Sequence, residues 1–185
     1  IIGHAAVDNM TRVSLELGGK SPVMVLDDVD PEFIAPNAAM AVFFNQGEAC
    51  VAGSRIYFPK GRFDEMLERL VDVTDFFKLG SGFDTNVHMG PLVSKTHHER
   101  VLRMIEVGRE QGGKLLIGGD VPSGSRGYFV KPAIFADVNH QMDIVKEEVF
   151  GPVLTVMPYD DIDDLVTKAN DCKYGLAASI WSNNI

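Results

Sequence analysis

The sequence predicts an α/β protein whose doubly wound, mostly parallel sheet is flanked by helices. Apolar runs of strand length alternate along the chain with segments that have the spacing of amphipathic helices. No internal repeat or low-complexity stretch interrupts this alternation. The 185 residues are 45% hydrophobic and 23% charged, which is ordinary for a globular domain. A single domain over residues 1–185 is therefore expected.

Two strands and two helices are predicted in the first half of the chain. Residues 23–26 and 55–58 are short apolar runs typical of buried strands. Asp30 suits the N-cap of a helix and Pro31 its first position, and this helix continues toward Phe44. The second helix is indicated by apolar residues that recur at helical spacing. These residues are Phe63, Met66, Leu67, Leu70, Val71 and Val73.

The second half begins with a loop over residues 79–93, which is long enough to have a function. Ser94 then caps a helix that ends at the pair Gly112 and Gly113. The residues of this helix expected to face inward are Val101, Leu102, Met104 and Ile105. The further predicted strands are 114–117, 128–135, 153–159 and 177–181. A last helix is predicted over 161–170, with Ile162, Leu165, Val166 and Ala169 facing inward.

Charge and cysteine content exclude several classes of protein. The net charge is −9 and the basic residues are scattered singly, so no nucleic-acid partner is expected. No apolar stretch approaches the roughly 18 residues that a membrane-spanning helix needs. With only Cys50 and Cys172, a disulfide scaffold is not indicated, and a reducing, cytoplasmic compartment is favoured. No metal site is predicted, and the pair His97 and His98 is interpreted as solvated surface.

Residues 15–22, Leu-Glu-Leu-Gly-Gly-Lys-Ser-Pro, place Glu16 between two leucines and directly before a glycine pair. Apolar surroundings disfavour the charged form of a carboxylate and so raise its pKa. A raised pKa brings the carboxylate toward the range of a general base. The glycine pair indicates backbone conformations that other residues rarely adopt. For this segment taken alone, a solvated turn is the alternative interpretation.

Residues 43–55 place Cys50 among small residues, just after a glycine-containing turn. Such a thiol is accessible to a small electrophile, and a nearby helix N-terminus would favour the thiolate. Taken alone, Cys50 has the alternative interpretation of a small buried hydrophobe. Cys172 has no comparable setting and is interpreted as structural.

Residues 146–152, Lys-Glu-Glu-Val-Phe-Gly-Pro, combine paired carboxylates with an aromatic residue that enters a Gly-Pro turn. A carboxylate can accept hydrogen bonds from ribose hydroxyls while an aromatic ring packs against the flat ring attached to the ribose. An acidic turn with one core phenylalanine is the alternative interpretation.

Together and in this order, the three segments resemble the signature segments of the aldehyde dehydrogenase superfamily. The resemblance spans nearly the whole chain and includes Met-Gly-Pro-Leu at residues 89–92 and the stretch 170–177. It implies the NAD(P)-dependent, hydrolytic type of enzyme, which oxidises a small-molecule aldehyde to a carboxylic acid. The dissociable cofactor would be NAD or NADP.

The resemblance also implies roles for individual residues. Cys50 would be the nucleophile that forms a thiohemiacetal and then a thioester, and its backbone N–H would contribute to the oxyanion hole. Glu16 would activate the water that hydrolyses the thioester, so that the product is a free acid and not an acyl-coenzyme A. Glu148 would hold the nicotinamide-ribose hydroxyls, with Phe150 packed beside them. Glu48 stands where glutamine is commoner, and its charge would disfavour the Cys50 thiolate if it pointed inward.

By the same resemblance, residues 1–185 correspond to the cysteine-bearing catalytic domain. Most of the cofactor-binding domain, with its phosphate-binding turn, and the C-terminal oligomerisation segment are expected to be absent from this sequence. We therefore expect the segment alone to be inactive and to bind NAD(P) weakly at best. The full-length protein is expected to be a homo-oligomer.

Two alternative functions stay open at this point. A catalytically silent relative of the dehydrogenases would serve binding or structure, but the joint presence of Cys50, Glu16 and Glu148 disfavours it. A free-standing thiol esterase would need only Cys50 and Glu16, and ester turnover without a cofactor would identify it. The identity of the aldehyde and the choice between NAD and NADP also stay open.

Overall fold

A six-stranded sheet forms the centre of the computed structural model, which describes residues 1–184; Ile185, the last residue of the predicted domain, lies outside the described residues. The strands are β1 (Pro22–Val25), β2 (Arg55–Pro59), β3 (Lys114–Ile117), β4 (Ala133–Ala136), β5 (Val153–Tyr159) and β6 (Ser179–Trp181). The helices are α1 (Ile2–Asp8), α2 (Pro31–Phe43), α3 (Phe63–Asp75), α4 (Lys95–Glu110), α5 (Asp143–Lys146) and α6 (Ile162–Asn170).

The sheet has the strand order β3-β4-β5-β2-β1-β6 and is parallel except for β3, which pairs antiparallel with β4. Helices cover both of its faces. Val23 and Val25 pack into a buried cluster with α2 and α3, whereas Met24 packs with α4, α5 and α6 on the opposite face. This alternation is what a strand buried on both sides requires. The predicted doubly wound, mostly parallel sheet is confirmed.

Side-chain caps fix the starts of three helices. Asp30 accepts a hydrogen bond from Glu32 N at 3.0 Å, and Ser94 accepts one from His97 N at 3.2 Å. Asp161 caps α6 in the same way, through Asp164 N at 2.9 Å. The caps predicted at Asp30 and Ser94 are therefore confirmed. The Ser94 cap sets the helical phase of α4, and so determines which of its side chains face the sheet.

The strand predicted over residues 128–135 is wrong in its first part, because only Ala133–Ala136 forms a strand. Pro132 has no N–H to donate to a sheet ladder. Lys131 instead exchanges backbone hydrogen bonds with a loop, donating to Asp120 O at 2.9 Å and accepting from Gly119 N at 3.1 Å.

Two inward positions predicted for α6 are also wrong. Ile162 is 53% exposed and Val166 is 50% exposed, whereas Leu165 and Ala169 are buried. The helix touches the core through a narrower stripe than its apolar residues indicated. Sequence analysis also missed α1, which buries none of its residues, and the single turn α5.

The loops that lead into three neighbouring parallel strands meet at one edge of the sheet. Glu16 precedes β1, Cys50 precedes β2, and Glu148 and Phe150 precede β5. Because β5, β2 and β1 are adjacent and parallel, their amino ends lie side by side. Open α/β sheets more often bind ligands at the carboxyl ends of their strands.

In the part of the chain that the structure describes, none of the helices has the length and apolar content that crossing a membrane requires.

Candidate active site

The structure brings the four predicted site residues together in one open cleft of about 630 Å³. Cys50, Glu16, Glu148 and Phe150 all line it. The remaining lining residues are Leu17, Gly18, Glu48, Ala49, His97 and Arg100. Residues far apart in the sequence therefore share one solvent-accessible space, which a covalent reaction on a bound small molecule requires.

The glycine pair joins the three segments by allowing a close approach. Gly19 donates its backbone N–H to Glu148 Oε1 at 2.9 Å. A Cβ on Gly18 would overlap the Glu148 carboxylate, and a Cβ on Gly19 would overlap the carbonyl oxygen of Cys50. Neither glycine has a positive φ, so the predicted need for unusual backbone freedom is wrong. The pair is required because other side chains would not fit.

A left-handed backbone segment leads into Cys50. Asn45, Gln46 and Gly47 have φ values of 50°, 59° and 72°. Such conformations cost about 1 kcal/mol or more for each residue other than glycine, so other contacts must hold the segment. Gln46 Oε1 accepts a hydrogen bond from Gly90 N at 3.1 Å, and Asn45 Nδ2 donates one to Glu48 O at 2.9 Å.

Cys50 itself is half-buried and forms no disulfide. Among residues 1–184, no acceptor takes its backbone N–H. The same turn thus presents a thiol and an unused hydrogen-bond donor. A carbonyl substrate needs both, one at its carbon and one at its oxygen.

The Glu48 carboxylate is bound to the start of α4. Its Oε1 accepts a hydrogen bond from Val93 N at 3.0 Å and lies 3.5 Å from His97 Nε2, and its side chain is only 9% exposed. The contacts described for this carboxylate therefore run to Val93 and His97.

His97 is a functional candidate that sequence analysis missed, because its interpretation as solvated surface is wrong. Its side chain is 13% exposed, and its Nε2 lies 2.6 Å from the carbonyl oxygen of Phe150. A carbonyl oxygen only accepts, so Nε2 carries the hydrogen. The sequence did contain a signal that His97 faces inward. The Ser94 cap starts the helix so that His97 lies one turn before Val101, which is buried on the same face. His98 likewise has a protein partner, since its Nε2 lies 3.2 Å from Phe129 O.

Arg100 is the second missed residue. Its guanidinium donates to Glu148 O at 2.6 Å and to Val149 O at 3.1 Å. It thereby anchors the backbone that carries the Glu148 carboxylate.

The apolar surroundings predicted for Glu16 are not present in the structure. Leu15 is 54% exposed and Leu17 is 61% exposed, and Glu16 itself is exposed at the rim of the cleft. Within residues 1–17 every residue except the half-buried Ala6 is exposed, so this stretch does not enclose the carboxylate. Glu16 faces the cleft without being enclosed.

A second cavity, of about 420 Å³, contains Lys20 and Cys172. Lys20 is 2% exposed, and among residues 1–184 its Nζ has no hydrogen-bond partner. Burial, followed by repulsion from Arg55, lowers the pKa of Lys20 to about 7. Cys172 is free and lies in a different cavity from Cys50. No cluster of three or more metal-ligating side chains occurs within the described residues.

The fold and the cleft define an α/β domain that gathers a cysteine and several carboxylates at the amino edge of a parallel sheet. The model of the aldehyde dehydrogenase family matches residues 1–185, and the chain belongs to that family.

Among the similar proteins are a phenylacetaldehyde dehydrogenase of Pseudomonas fluorescens and a mitochondrial aldehyde dehydrogenase of Leishmania tarentolae. Each is 48% identical over the whole of this chain. The chain spans 37% of the length of the first and 38% of the second.

Solved structures show the same likeness. The NAD⁺ complex of a Bacillus cereus aldehyde dehydrogenase has a TM-score of 0.93 at 42% identity. The match covers 100% of this chain and 37% of the Bacillus cereus chain. The NAD⁺ complex of a Mycobacterium tuberculosis aldehyde dehydrogenase has a TM-score of 0.94 at 38% identity. That match covers 99% of this chain and 38% of the Mycobacterium tuberculosis chain.

Proposed function

We propose that the protein to which this chain belongs oxidises a small aldehyde to a carboxylic acid with NAD or NADP. The observation that supports this most is that Cys50 shares one cleft with Glu16, Glu148 and Phe150. Family membership supports the same chemistry. Because the chain spans about 37% of the length of its relatives, the proposal concerns the longer protein.

Cys50 is the proposed nucleophile. Its thiolate attacks the aldehyde carbon to form a thiohemiacetal, and the unused N–H of Cys50 donates to the oxygen that becomes negative. One such donor typically contributes about 3 kcal/mol to catalysis. Loss of a hydride from the thiohemiacetal carbon then leaves a thioester on Cys50. When bound, the nicotinamide supplies the acceptor for that hydride.

Glu16 is the proposed base for the second half of the reaction. It removes a proton from a water molecule, which attacks the thioester carbonyl and releases the carboxylic acid and the Cys50 thiol. Its exposed position at the rim of the cleft leaves room for that water. A carboxylate here favours hydrolysis over transfer of the acyl group to coenzyme A.

Glu148 and Phe150 fit one end of the cofactor. Glu148 Oε1 already accepts from Gly19 N, whereas Oε2 has no hydrogen-bond donor among residues 1–184 and is available to a ribose hydroxyl. Phe150 is half-buried in the same cleft and offers an aromatic surface beside that carboxylate. These two residues would hold the nicotinamide-ribose end of NAD or NADP.

The domain assignment follows as part of the same proposal. Residues 1–185 form the cysteine-bearing catalytic domain, while most of the cofactor-binding domain and the oligomerisation segment belong to the rest of a longer, homo-oligomeric protein. Two free cysteines favour a reducing compartment, and we propose the cytoplasm. Several relatives are named as mitochondrial proteins.

The test uses the full-length protein with a panel of aliphatic, aromatic and amino aldehydes. We expect NADH or NADPH to form together with the carboxylic acid, and Cys50→Ala to abolish both products. Ester hydrolysis by the wild type without any dinucleotide-dependent aldehyde oxidation would instead identify a thiol esterase. Absence of both activities would support a catalytically silent domain.

A further inference from the structure

Two buried cations meet at a cavity of about 420 Å³ between the start of β1, the end of α6 and the segment that leads into β6. They are Lys20, which is 2% exposed, and Arg55, which is 1% exposed. The cavity shares none of its lining residues with the cleft that contains Cys50. We name it the Lys20 cavity.

The Lys20 ammonium is a strong hydrogen-bond donor that the described residues leave unused. Its Nζ is buried and has no hydrogen-bond partner among residues 1–184. An ammonium carries three N–H groups, and burying them without acceptors is costly. A ligand that accepts these hydrogen bonds and carries a negative charge would remove that cost.

The Arg55 guanidinium is held by uncharged partners. Its Nε donates to Lys20 O at 2.8 Å, and its Nη2 donates to Ala169 O at 2.9 Å. Its Nη1 donates to Tyr57 Oη at 3.1 Å and to Lys168 O at 3.3 Å. These bonds use four of the five N–H groups of a guanidinium and involve no carboxylate. One N–H group and the positive charge therefore stay available beside the cavity.

The opposite wall of the Lys20 cavity is apolar and contains unused backbone donors. Pro22 and Leu176 line this wall. Residues 175–177 belong to no helix or strand, and their N–H groups donate to no acceptor within the described part of the chain. A Cβ on Gly175 would meet no atom within 4 Å, so there is room beside this segment. A cationic end and an apolar wall thus share one space.

We infer that the Lys20 cavity binds a small monocarboxylate, with the carboxylate against Lys20 Nζ and the remaining N–H of Arg55 and the apolar part against Pro22 and Leu176. The volume of the cavity is typical of a small-molecule site. An inorganic anion would use the two charges but leave the apolar wall unfilled. The inference goes beyond the proposed function and does not depend on it.

The charges around Lys20 make this binding dependent on pH. Burial, followed by repulsion from Arg55, lowers the pKa of Lys20 to about 7, while Cys172, Glu148 and Glu147 act in the opposite direction. A bound carboxylate favours the protonated amine and raises its pKa. The protein without ligand loses that proton above about pH 7, so binding should weaken about tenfold for each pH unit above this value.

The experiment measures binding to the full-length protein by calorimetry. The probes are acetate, propionate and benzoate, and the controls are the neutral amides acetamide, propionamide and benzamide, together with sodium chloride. Lys20→Met is compared with Lys60→Met, which removes an exposed ammonium that pairs with Asp160.

A second measurement locates the ligand. Cys172 lines the Lys20 cavity, whereas Cys50 lines the cleft. The rates at which iodoacetamide labels these two thiols, with and without each probe at pH 7, therefore report separately on the two spaces.

We expect at least one carboxylate to bind the wild type at least about tenfold more tightly than its amide does, as a charge-assisted hydrogen bond implies. Lys20→Met should lose this difference, and Lys60→Met should match the wild type. The bound carboxylate should slow the labelling of Cys172 several-fold and that of Cys50 much less.

Equal binding of carboxylates and amides would refute the inference, as would protection of Cys50 alone, which would place the ligand in the cleft. Chloride binding as tight as that of every carboxylate would refute the choice of a monocarboxylate. If Lys20→Met failed to fold, or if Cys172 did not react, the wild-type comparison of carboxylate with amide at several pH values would decide. An inactive protein that binds as expected would contradict only the proposed function, and an active protein that does not would contradict only this inference.

Discussion

Gly19 and Glu148, which are 129 positions apart in the sequence, are joined by a hydrogen bond of 2.9 Å from the glycine N–H to the carboxylate. This bond ties the segment that contains Glu16 to the loop that contains Glu148 and Phe150. The carbonyl oxygen of Cys50 packs so closely against the same glycine that a Cβ there would overlap it. Gly19 is therefore the point at which all three segments of the cleft come into contact.

Gly19→Ala should destabilise the protein more than Gly18→Ala does. The added methyl of the first variant meets the Cys50 backbone, which cannot move aside, whereas that of the second meets the end of the flexible Glu148 side chain. Overpacking against backbone costs about 2 kcal/mol or more. Urea denaturation measures the difference. Gly61→Ala is the control, because a Cβ there meets no atom within 4 Å. Equal stabilities for the variants at positions 18, 19 and 61 would contradict this account.

Cys50 should react with iodoacetamide faster than Cys172. Both thiols are half-buried, but Cys50 opens onto the larger cleft in a turn with an unused backbone N–H, whereas Cys172 accepts a weak hydrogen bond from Tyr174 N at 3.5 Å. Peptide mapping after brief labelling at neutral pH gives the two rates. Faster labelling of Cys172 would count against Cys50 as the nucleophile.

Two substitutions should separate the halves of the reaction in the full-length protein. Cys50→Ala should abolish hydride transfer and acyl-enzyme formation together. Glu16→Gln should still give a burst of NADH or NADPH followed by a slow steady state, because only hydrolysis of the thioester loses its base. Stopped-flow absorbance resolves the burst. If it were missing in Glu16→Gln, Glu16 would be needed for the attack by Cys50.

Residues 1–185 alone should show no measurable aldehyde oxidation and should bind NAD or NADP weakly at best. Glu148 and Phe150 would contact only the nicotinamide-ribose end, while the pyrophosphate and adenosine commonly need a glycine-rich turn at a helix N-terminus. Association itself costs at least about 4 kcal/mol, which so few contacts offset poorly. Calorimetry at millimolar dinucleotide is the direct measurement. Micromolar affinity would mean that the cofactor site has been assigned to the wrong residues.

Lys20 should make stability rise between about pH 7 and 10.5. Its pKa is lowered from 10.5 to about 7 in the folded state, so over that interval the unfolded chain binds a proton that the folded chain does not. The destabilisation is full below pH 7 and is lost as the pH approaches 10.5, and its size is on the order of 5 kcal/mol. Lys20→Met should flatten this rise and stabilise the protein at pH 7.

The measurement for Lys20 is urea denaturation at a series of pH values. Lys60→Met is the control, because the Lys60 side chain is exposed and pairs with Asp160. Parallel pH profiles for wild type and Lys20→Met would show that the Lys20 ammonium is compensated in the folded state.

The local features of the fold could be predicted from the sequence because nearby residues determine them. The Asp30 and Ser94 caps satisfy N–H groups two or three positions along the chain. The strand Val153–Tyr159 is an apolar run interrupted only by Thr155 and Pro158, and its predicted bounds agree with the structure. Such signals need no knowledge of the rest of the molecule.

The features that escaped prediction depend on contacts between distant segments. His97 and Arg100 look like ordinary polar residues of an amphipathic helix, and only their proximity to carbonyls about 50 positions away makes them part of the cleft. That the glycine pair has a special role could be predicted from the sequence. The physical reason, which is the lack of room beside Cys50 O and the Glu148 carboxylate, appears only when the segments are packed together. The roles of Cys50, Glu16, Glu148 and Phe150 stay predictions.

The position of the cleft at the amino edge of the sheet has a practical consequence for protein engineering. The turns that leave β1, β2 and β5 lie at the opposite edge, around residues 26–30, 60–62 and 160–161, and they carry none of the residues that line the cleft. In the second of these turns Lys60 and Gly61 are exposed, and exposed turns tolerate insertions well. A fluorophore attachment site or an affinity tag placed after β2, at residues 60–62, would report on the domain while leaving the surroundings of Cys50 intact.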